Sequence, residues 1–418
     1  MNLVEKTCRR ILYSKLSGLT EGFLEFEEAF LKGHSKVHSF GNPGSSLKAR
    51  LRILNPDAYP KMVFSGSVGA GEAFFLSEWD CMDLTAMIRI LLKNRETLES
   101  IDHGISAIQN PLQKIYHGLN RNTLKGAKKN IEAHYDLGND FFELFLDPSF
   151  LYSSGIFRGP ETSLQDAQIE KIDRICRKLE LKPDHHVIEI GTGWGAFALH
   201  AAKHYGCRVS TTTISKNQFE MTKKRITDAG LQDRIQLLYQ DYRKLEGTYD
   251  RLVSIEMIEA VGLDHLDEFI SKCSSLLKPE GSALLQAITI REESYETAKR
   301  SVDFIQRYIF PGSGICSIGS IQSAVARNTD LSLSHLEDFG THYARTLREW
   351  SKALQANHKE LVARGYSEEL YRMWQFYFSY CEGGFLERSI GVAQMLYTKP
   401  RSTLSDPVWY NSDAKANR

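Results

Sequence analysis

From Ser163 onward the apolar residues of this chain switch repeatedly between two spacings. Leu164, Ile172, Ile175 and Leu179 recur at helical intervals, with Ser163 and Asp166 placed as a capping pair. Strand candidates then follow at Val187–Ile190, Arg208–Thr212, Ile235–Tyr239, Arg251–Ile255 and Ala283–Ile288, most of them separated by helical stretches. That alternation predicts an α/β fold with a doubly wound, mostly parallel sheet. "LSLSHLEDF" and "VAQMLYTK" supply two more strands, making seven. The first 115 residues read differently. Leu24–Gly33 is expected as a helix, and "SSLKARLRIL" and "PKMVFSG" as short strands. A second helix carries Leu84, Ile88, Ile90, Leu91 and Leu92 behind an Asp83 cap.

These patterns divide the chain into a smaller α+β domain (1–115), a linker (116–133), an α/β domain (134–399) and a disordered tail (400–418). Arg121, Lys125, Lys128 and Lys129 make the linker basic. It is either a solvated connector or a strip for anionic phospholipid headgroups.

Charge changes this picture little. Lysine plus arginine and aspartate plus glutamate are 52 each in 418 residues, so no global field favours nucleic acid. Seven cysteines without a CxxC or a His/Cys cluster speak against a disulfide framework and against a metal site. The N-terminus lacks the uninterrupted apolar core of a signal peptide, and no run approaches the ~20 residues of a spanning helix. A cytoplasmic protein is the expectation.

Candidate chemistry begins where Gly191, Gly193 and Gly195 close the first strand of the α/β region and open a helix. Bare glycines let a ligand approach the backbone closely. Dinucleotide sites use GxGxxG; here the spacing is GxGxG, and Trp194 stands where a pyrophosphate would need room. This spacing suits S-adenosylmethionine, with a purely structural turn and a nucleotide site as competitors. After the second strand the usual acidic ribose ligand is absent, and Gln218 or Thr213 could replace it. After the third, Asp241 is placed for an adenine amine and Tyr242 for the ring face.

"HYDLGNDFFELFLDPSFLYSSGIF", "EIGTGWGAFALHAAKHYGCRVSTTTISKNQ", "SIEMIEAVG", "RYIFPG" and "CEGGF" together resemble the cyclopropane-fatty-acyl-phospholipid synthase family, which includes the mycolic acid cyclopropane synthases. "GSVGAGEAFFLSEWD" resembles the amino-terminal domain of the phospholipid-acting members. The resemblance adds Tyr135, Tyr152, Ser153, Glu189, Thr192, Trp194 and Ser215 to the cofactor set. It implies that a cis double bond in a phospholipid acyl chain attacks the cofactor's sulfonium methyl, leaving a carbocation that loses a proton to give a cyclopropane. Peripheral work at the inner membrane surface and a homodimer are implied as well. Tyr152, Tyr308, Phe310, Tyr343 and the run Met373–Tyr380 could stabilise the cation, against the plainer reading of core packing.

In ring-forming members a bicarbonate serves as base, held by a cysteine, a glutamate, a histidine, a backbone position and a tyrosine. The matching positions are Ser154, Glu259, Gln286, Ile288 and Tyr343, so the thiol and the imidazole are both replaced. Cys381 matches a further family thiol, against the plainer reading of an inert buried cysteine. With Ser154 and Gln286 unable to titrate near neutrality, the base is bicarbonate held differently or Glu259 itself. Proton loss from a chain carbon would instead give a methyl-branched or methylene chain, including furan fatty acid precursors. A catalytically decayed lipid-binding protein and a methyltransferase for small soluble acceptors are the remaining alternatives.

Overall fold

The computed structural model describes residues 1–31, 35–95 and 137–405. The basic strip at Arg121, Lys125, Lys128 and Lys129, together with Tyr135 and the tail beyond residue 405, lies outside the described residues. The chain forms two compact units. One is drawn from Met1–Phe145, Val302–Pro311 and Leu347–Ser389, the other from Leu146–Ser301, Gly312–Thr346 and Ile390–Arg418.

The first unit carries a four-stranded sheet ordered β2-β1-β3-β4, with β1 Phe23–Glu28, β2 Lys36–Gly41, β3 Lys48–Ile53 and β4 Trp79–Cys81. The expected helix at Leu24–Gly33 is therefore wrong over most of its length. Leu24, Phe26 and Glu28 alternate inward, and the inward Glu28 hid that alternation. Its charge is tolerated because Tyr13 and Tyr59 donate hydroxyls to it at 3.1 and 2.9 Å and Arg9 pairs with it at 2.5 Å. "PKMVFSG" is likewise not a strand but the start of the helix Ala58–Phe75, which breaks at Gly66 (φ 52°, ψ −129°). A β-carbon on Gly71 of this helix would lie 2.3 Å from the Phe304 ring, so only glycine permits that approach. The helix Leu84–Lys93 forms as expected, with the Asp83 side chain accepting from the Ala86 amide.

The second unit holds the large sheet. Its strands are β5 His186–Ile190, β6 Arg208–Thr213, β7 Ile235–Tyr239, β8 Tyr249–Ile255, β9 Leu277–Ile290, β10 Cys316–Ser317, β11 Ser332–Asp338 and β12 Ile390–Thr398. Seven run in the order β11-β12-β9-β8-β5-β6-β7, with β10 as a two-residue addition to β9. The pairs from β9 to β7 are parallel, while β12 is antiparallel to both its neighbours. This is the seven-stranded α/β sheet expected from the pattern, and Ser163 caps the helix Leu164–Lys178 as anticipated. Alternate residues bury on opposite faces. Ile188, Ile190, Leu252 and Leu285 enter one core, and Val187, Val209, Val253 and Leu284 the other. The C-terminal ends of β5 to β8 consequently meet along one edge, where ligands of open α/β sheets bind.

Candidate active site

β5 ends at Ile190, and the chain turns through Gly191, Gly193 and Gly195 at φ 94°, 52° and 86°. These left-handed angles are ordinary for glycine and strained for other residues. A β-carbon on Gly191 would sit 2.2 Å from Met257 Cγ. The turn opens into a cavity of about 600 Å³, walled also by Tyr152, Ser153, Glu189, Thr192 and Trp194. Thr213, Ser215, Gln218, Asp241 and Tyr242 complete the ring around it. Apart from Tyr135, which lies outside the described residues, and Gly195, which completes the turn without lining the cavity, the residues assigned to the cofactor by sequence thus face one cavity. Thr192 Oγ1 is buried there with no hydrogen-bond partner. A glycine cradle, an orphaned hydroxyl and polar groups at three successive strand ends fit S-adenosylmethionine.

Local hydrogen bonds set the far wall. Thr213 Oγ1 donates to Gln218 Oε1 at 2.8 Å, and Ser215 caps the helix Lys216–Asp228. Asp241 accepts from Arg243 through Nη2 at 2.7 Å and Nε at 3.0 Å, and the guanidinium holds its carboxyl below the usual range. The Tyr242 ring packs edge-on against Phe269 at 5.4 Å. Arg243, Gln240, Met257 and His265 also line the cavity and were not anticipated.

The residues assigned to chemistry divide. Ser154, Gln286 and Tyr343 converge, but on Glu256 rather than Glu259. Glu256 Oε1 accepts from the Ser154 amide at 3.1 Å and from Gln286 Nε2 at 2.8 Å, and Oε2 accepts from the Tyr343 hydroxyl at 2.7 Å. The Ser154 hydroxyl turns away and donates to the Gly155 carbonyl. Gln286 reaches Glu256 because register pairs it with Ile255 on one side and Gln394 on the other. Its amide orientation is fixed from a distance. Lys178 can only donate, so its 2.8 Å bond makes Gln394 Oε1 the acceptor. Gln394 Nε2 then donates to Gln286 Oε1 at 3.1 Å, leaving Gln286 Nε2 for Glu256.

Glu259 stands apart from that set. Its Oε1 accepts from the Ile288 amide at 2.5 Å, while Oε2 is buried without a partner. Burial and then the negative charge of Glu256 push it up to about 8, so it is a neutral acid at pH 7. Glu256 is also raised by burial, opposed by Lys171 and by its three donors. Lys171, fully buried, donates to Ser153 Oγ at 2.5 Å and is lowered to about 8 by burial, against the pull of Glu256, Asp147 and Glu189. Glu189, which takes the Thr211 hydroxyl at 2.6 Å, is raised to about 8 by burial. Of these carboxylates Glu256 and Glu189 line the cavity and Glu259 does not. Glu256 sits at φ 51°, a left-handed angle for a residue with a side chain.

Cys381 and the aromatic run lie in the other compact unit. Burial pushes the Cys381 thiol well up, which makes it inert at neutral pH. Phe376 packs on Phe74, Phe304 and Trp79, and Trp374 on Phe141, Phe142 and Phe145. Tyr308 donates its hydroxyl to Glu72 at 2.9 Å.

The family model for mycolic acid cyclopropane synthetase matches residues 122–395. The chain belongs to that family. Its members are S-adenosylmethionine-dependent fatty-acyl methyltransferases. The chain is 32% identical over 353 residues to tuberculostearic acid methyltransferase UfaA1 of Mycobacterium tuberculosis, covering 82% of each protein. It is also 32% identical over 354 residues to cyclopropane-fatty-acyl-phospholipid synthase of Escherichia coli, covering 85% of this chain and 89% of that one. Among solved structures, mycolic acid cyclopropane synthase CmaA1 complexed with SAH and CTAB superposes with a TM-score of 0.60 at 35% identity, over 65% of this chain and 98% of that one.

Proposed function

We propose that this family member transfers the one-carbon unit of S-adenosylmethionine to a cis double bond in an acyl chain of a membrane phospholipid, and that the product is a methyl-branched or methylene chain. The supporting observation is one cavity that joins the glycine cradle to a half-buried carboxylate, Glu256. When bound, the cofactor supplies an electrophilic methyl on a positively charged sulfur. The glycine turn admits it, and the polar groups after β6 and β7 orient it. The π electrons of the double bond form the new C–C bond, and positive charge is left on the neighbouring chain carbon. A cation in a water-poor site is stabilised by a fixed anion and destroyed by water, so an enclosed carboxylate suits this chemistry.

Proton loss decides the product. Loss from the new methyl closes a ring, loss from the neighbouring chain carbon leaves a methyl-branched alkene, and loss from the methyl after a hydride shifts to the cationic carbon leaves a methylene group. The side chains that differ from the ring-forming pattern, Ser154 and Gln286, both belong to the proton-removing side of the site, whereas the glycine turn Gly191–Gly195 is complete. The similarity to UfaA1 across 82% of the chain supports the branched product. Cyclopropane formation is the second reading, favoured by the similarity to the Escherichia coli synthase. Work on phospholipid would take place at the cytoplasmic leaflet, and among the described residues no helix is long and apolar enough to cross a membrane.

Expression in a bacterial host lacking its own synthase, followed by mass spectrometry of the phospholipid acyl chains, tests this reading. Branched or methylene chains one carbon heavier than their precursors are expected. Cyclopropane chains alone would replace it with the second reading, and labelled methyl on soluble acceptors but on no lipid would refute both.

A further inference from the structure

The resemblance to ring-forming enzymes calls for a bicarbonate held by the groups at Ser154, Glu259, Gln286, Ile288 and Tyr343. In this chain those groups are already engaged. The Ser154 amide, Gln286 Nε2 and the Tyr343 hydroxyl all donate to Glu256, and the Ile288 amide donates to Glu259. A second anion would lose every one of these donors and would press against the charge of Glu256. The site does not fit bicarbonate.

We infer that Glu256 is the proton acceptor of the reaction, a carboxylate carried by the chain itself in place of a captured ion. This rests on the acyl-chain reading above and deepens it. Three features support it. First, the surroundings are built for an anion: one obligatory backbone donor, an amide nitrogen fixed as donor by the relay from Lys178 through Gln394, and a hydroxyl. Second, a carboxylate offers about four lone-pair positions, and three are filled here. Among the described residues nothing donates to the fourth, on Oε2, and Glu256 lines the cofactor cavity. Third, Glu256 occupies a left-handed backbone angle of 51°. Such strain for a non-glycine residue costs roughly 1–3 kcal/mol and gathers at functional sites.

In the reaction, a C–H bond on the carbon beside the cationic one, or on the new methyl if a ring forms, breaks and its proton joins Glu256 Oε2. The electron pair left behind becomes the new C=C bond, or the closing C–C bond if a ring forms. The resulting carboxylic acid returns its proton to water after the chain departs. Lys171, enclosed with Glu256, Glu189 and Asp147, opposes the upward push that burial gives the acceptor. Glu259 is then a neutral neighbour of the base.

The test uses the full chain with unsaturated phospholipid vesicles, in buffer freed of carbon dioxide. Wild type should transfer at the same rate with and without millimolar bicarbonate, and ¹³C-bicarbonate NMR should detect no bound ion. Glu256→Gly removes the carboxylate, suits the backbone angle and opens a space for a small anion. It should lose at least about 100-fold in rate, regain activity with bicarbonate or formate, and broaden the ¹³C signal. Glu256→Gln keeps the shape and should bind the cofactor normally by calorimetry, yet remain inactive with either ion. Stimulation of wild type by bicarbonate, a bicarbonate signal bound to wild type, or wild-type rates in Glu256→Gln would each overturn the inference. If wild type transfers to no unsaturated lipid, the acyl-chain reading fails separately. The NMR comparison then still decides whether Glu256 fills the anion site, and a bicarbonate bound to wild type would overturn it.

Discussion

Glu259 offers a quantitative check on the electrostatics of the site. Its carboxyl is enclosed beside Glu256 and is raised from 4.5 to about 8. In the unfolded chain it ionises near the lower value, so from there to about pH 8 the unfolded state sheds a proton that the native state keeps. Stability contributed by the neutral acid is intact below the unfolded value and is lost as pH rises through that window. At about 1.4 kcal/mol per unit, the loss between roughly pH 5 and pH 8 amounts to about 3–4 kcal/mol. Glu259→Gln removes the titration while keeping an oxygen for the Ile288 amide, so its stability should not follow this slope. Urea unfolding at both pH values, read by hydrogen exchange on peptides from β5, β8 and β9, isolates the unit that contains Glu259. The variant should gain on wild type by about 3–4 kcal/mol from the lower pH to the higher. A difference independent of pH would mean that Glu259 ionises normally and that the buried pair has been misread.

Gly191→Ala combines a left-handed angle of 94° with a 2.2 Å approach to Met257. Calorimetry should find S-adenosylmethionine binding weakened by roughly 10–100-fold, in line with about 1–3 kcal/mol of overpacking. Gly193→Ala, with nothing within 4 Å of the new carbon, should lose less. Gln394→Leu cuts the relay that orients Gln286. Steady-state kinetics should report a several-fold fall in kcat with an unchanged KM for the cofactor, and unfolding a loss of about 1–3 kcal/mol. Gly71→Ala drives a methyl into the Phe304 and Phe376 rings at 2.3 and 3.0 Å. It should destabilise the first unit by about 1–3 kcal/mol, seen as faster hydrogen exchange there, without changing cofactor affinity.

The large sheet was legible because its central strands β5, β8 and β9 are rich in buried apolar residues and several of its helices carry clear caps, so local pattern and tertiary structure agree there. The first unit was less so. Glu28 is a charge on an inward face, and only its distant partners Arg9, Tyr13 and Tyr59 make that tolerable. The run Met62–Phe64 has β-forming residues, yet tertiary packing draws it into a helix. The cofactor ring could be read because each of its residues follows a strand end. Glu256 was missed although it directly follows β8, because family resemblance drew attention to Glu259 three residues on. The joint loss of a thiol at 154 and an imidazole at 286 was the available signal that something else fills the space between them. Lys171 and Gln394 left no such trace, since a lysine on a helix and a glutamine in a strand usually face water.

The backbone at residue 256 sets two properties of the molecule against each other. A glutamate there is half-buried, takes up three hydrogen-bond donors and is held at an angle that glycine adopts freely. Selection for heat tolerance alone would favour its replacement by glycine, which relaxes the main chain and spares the desolvation of a carboxyl group. On the reading above, the survivors of such a screen would be firmer and idle, and would need a dissolved anion to work again.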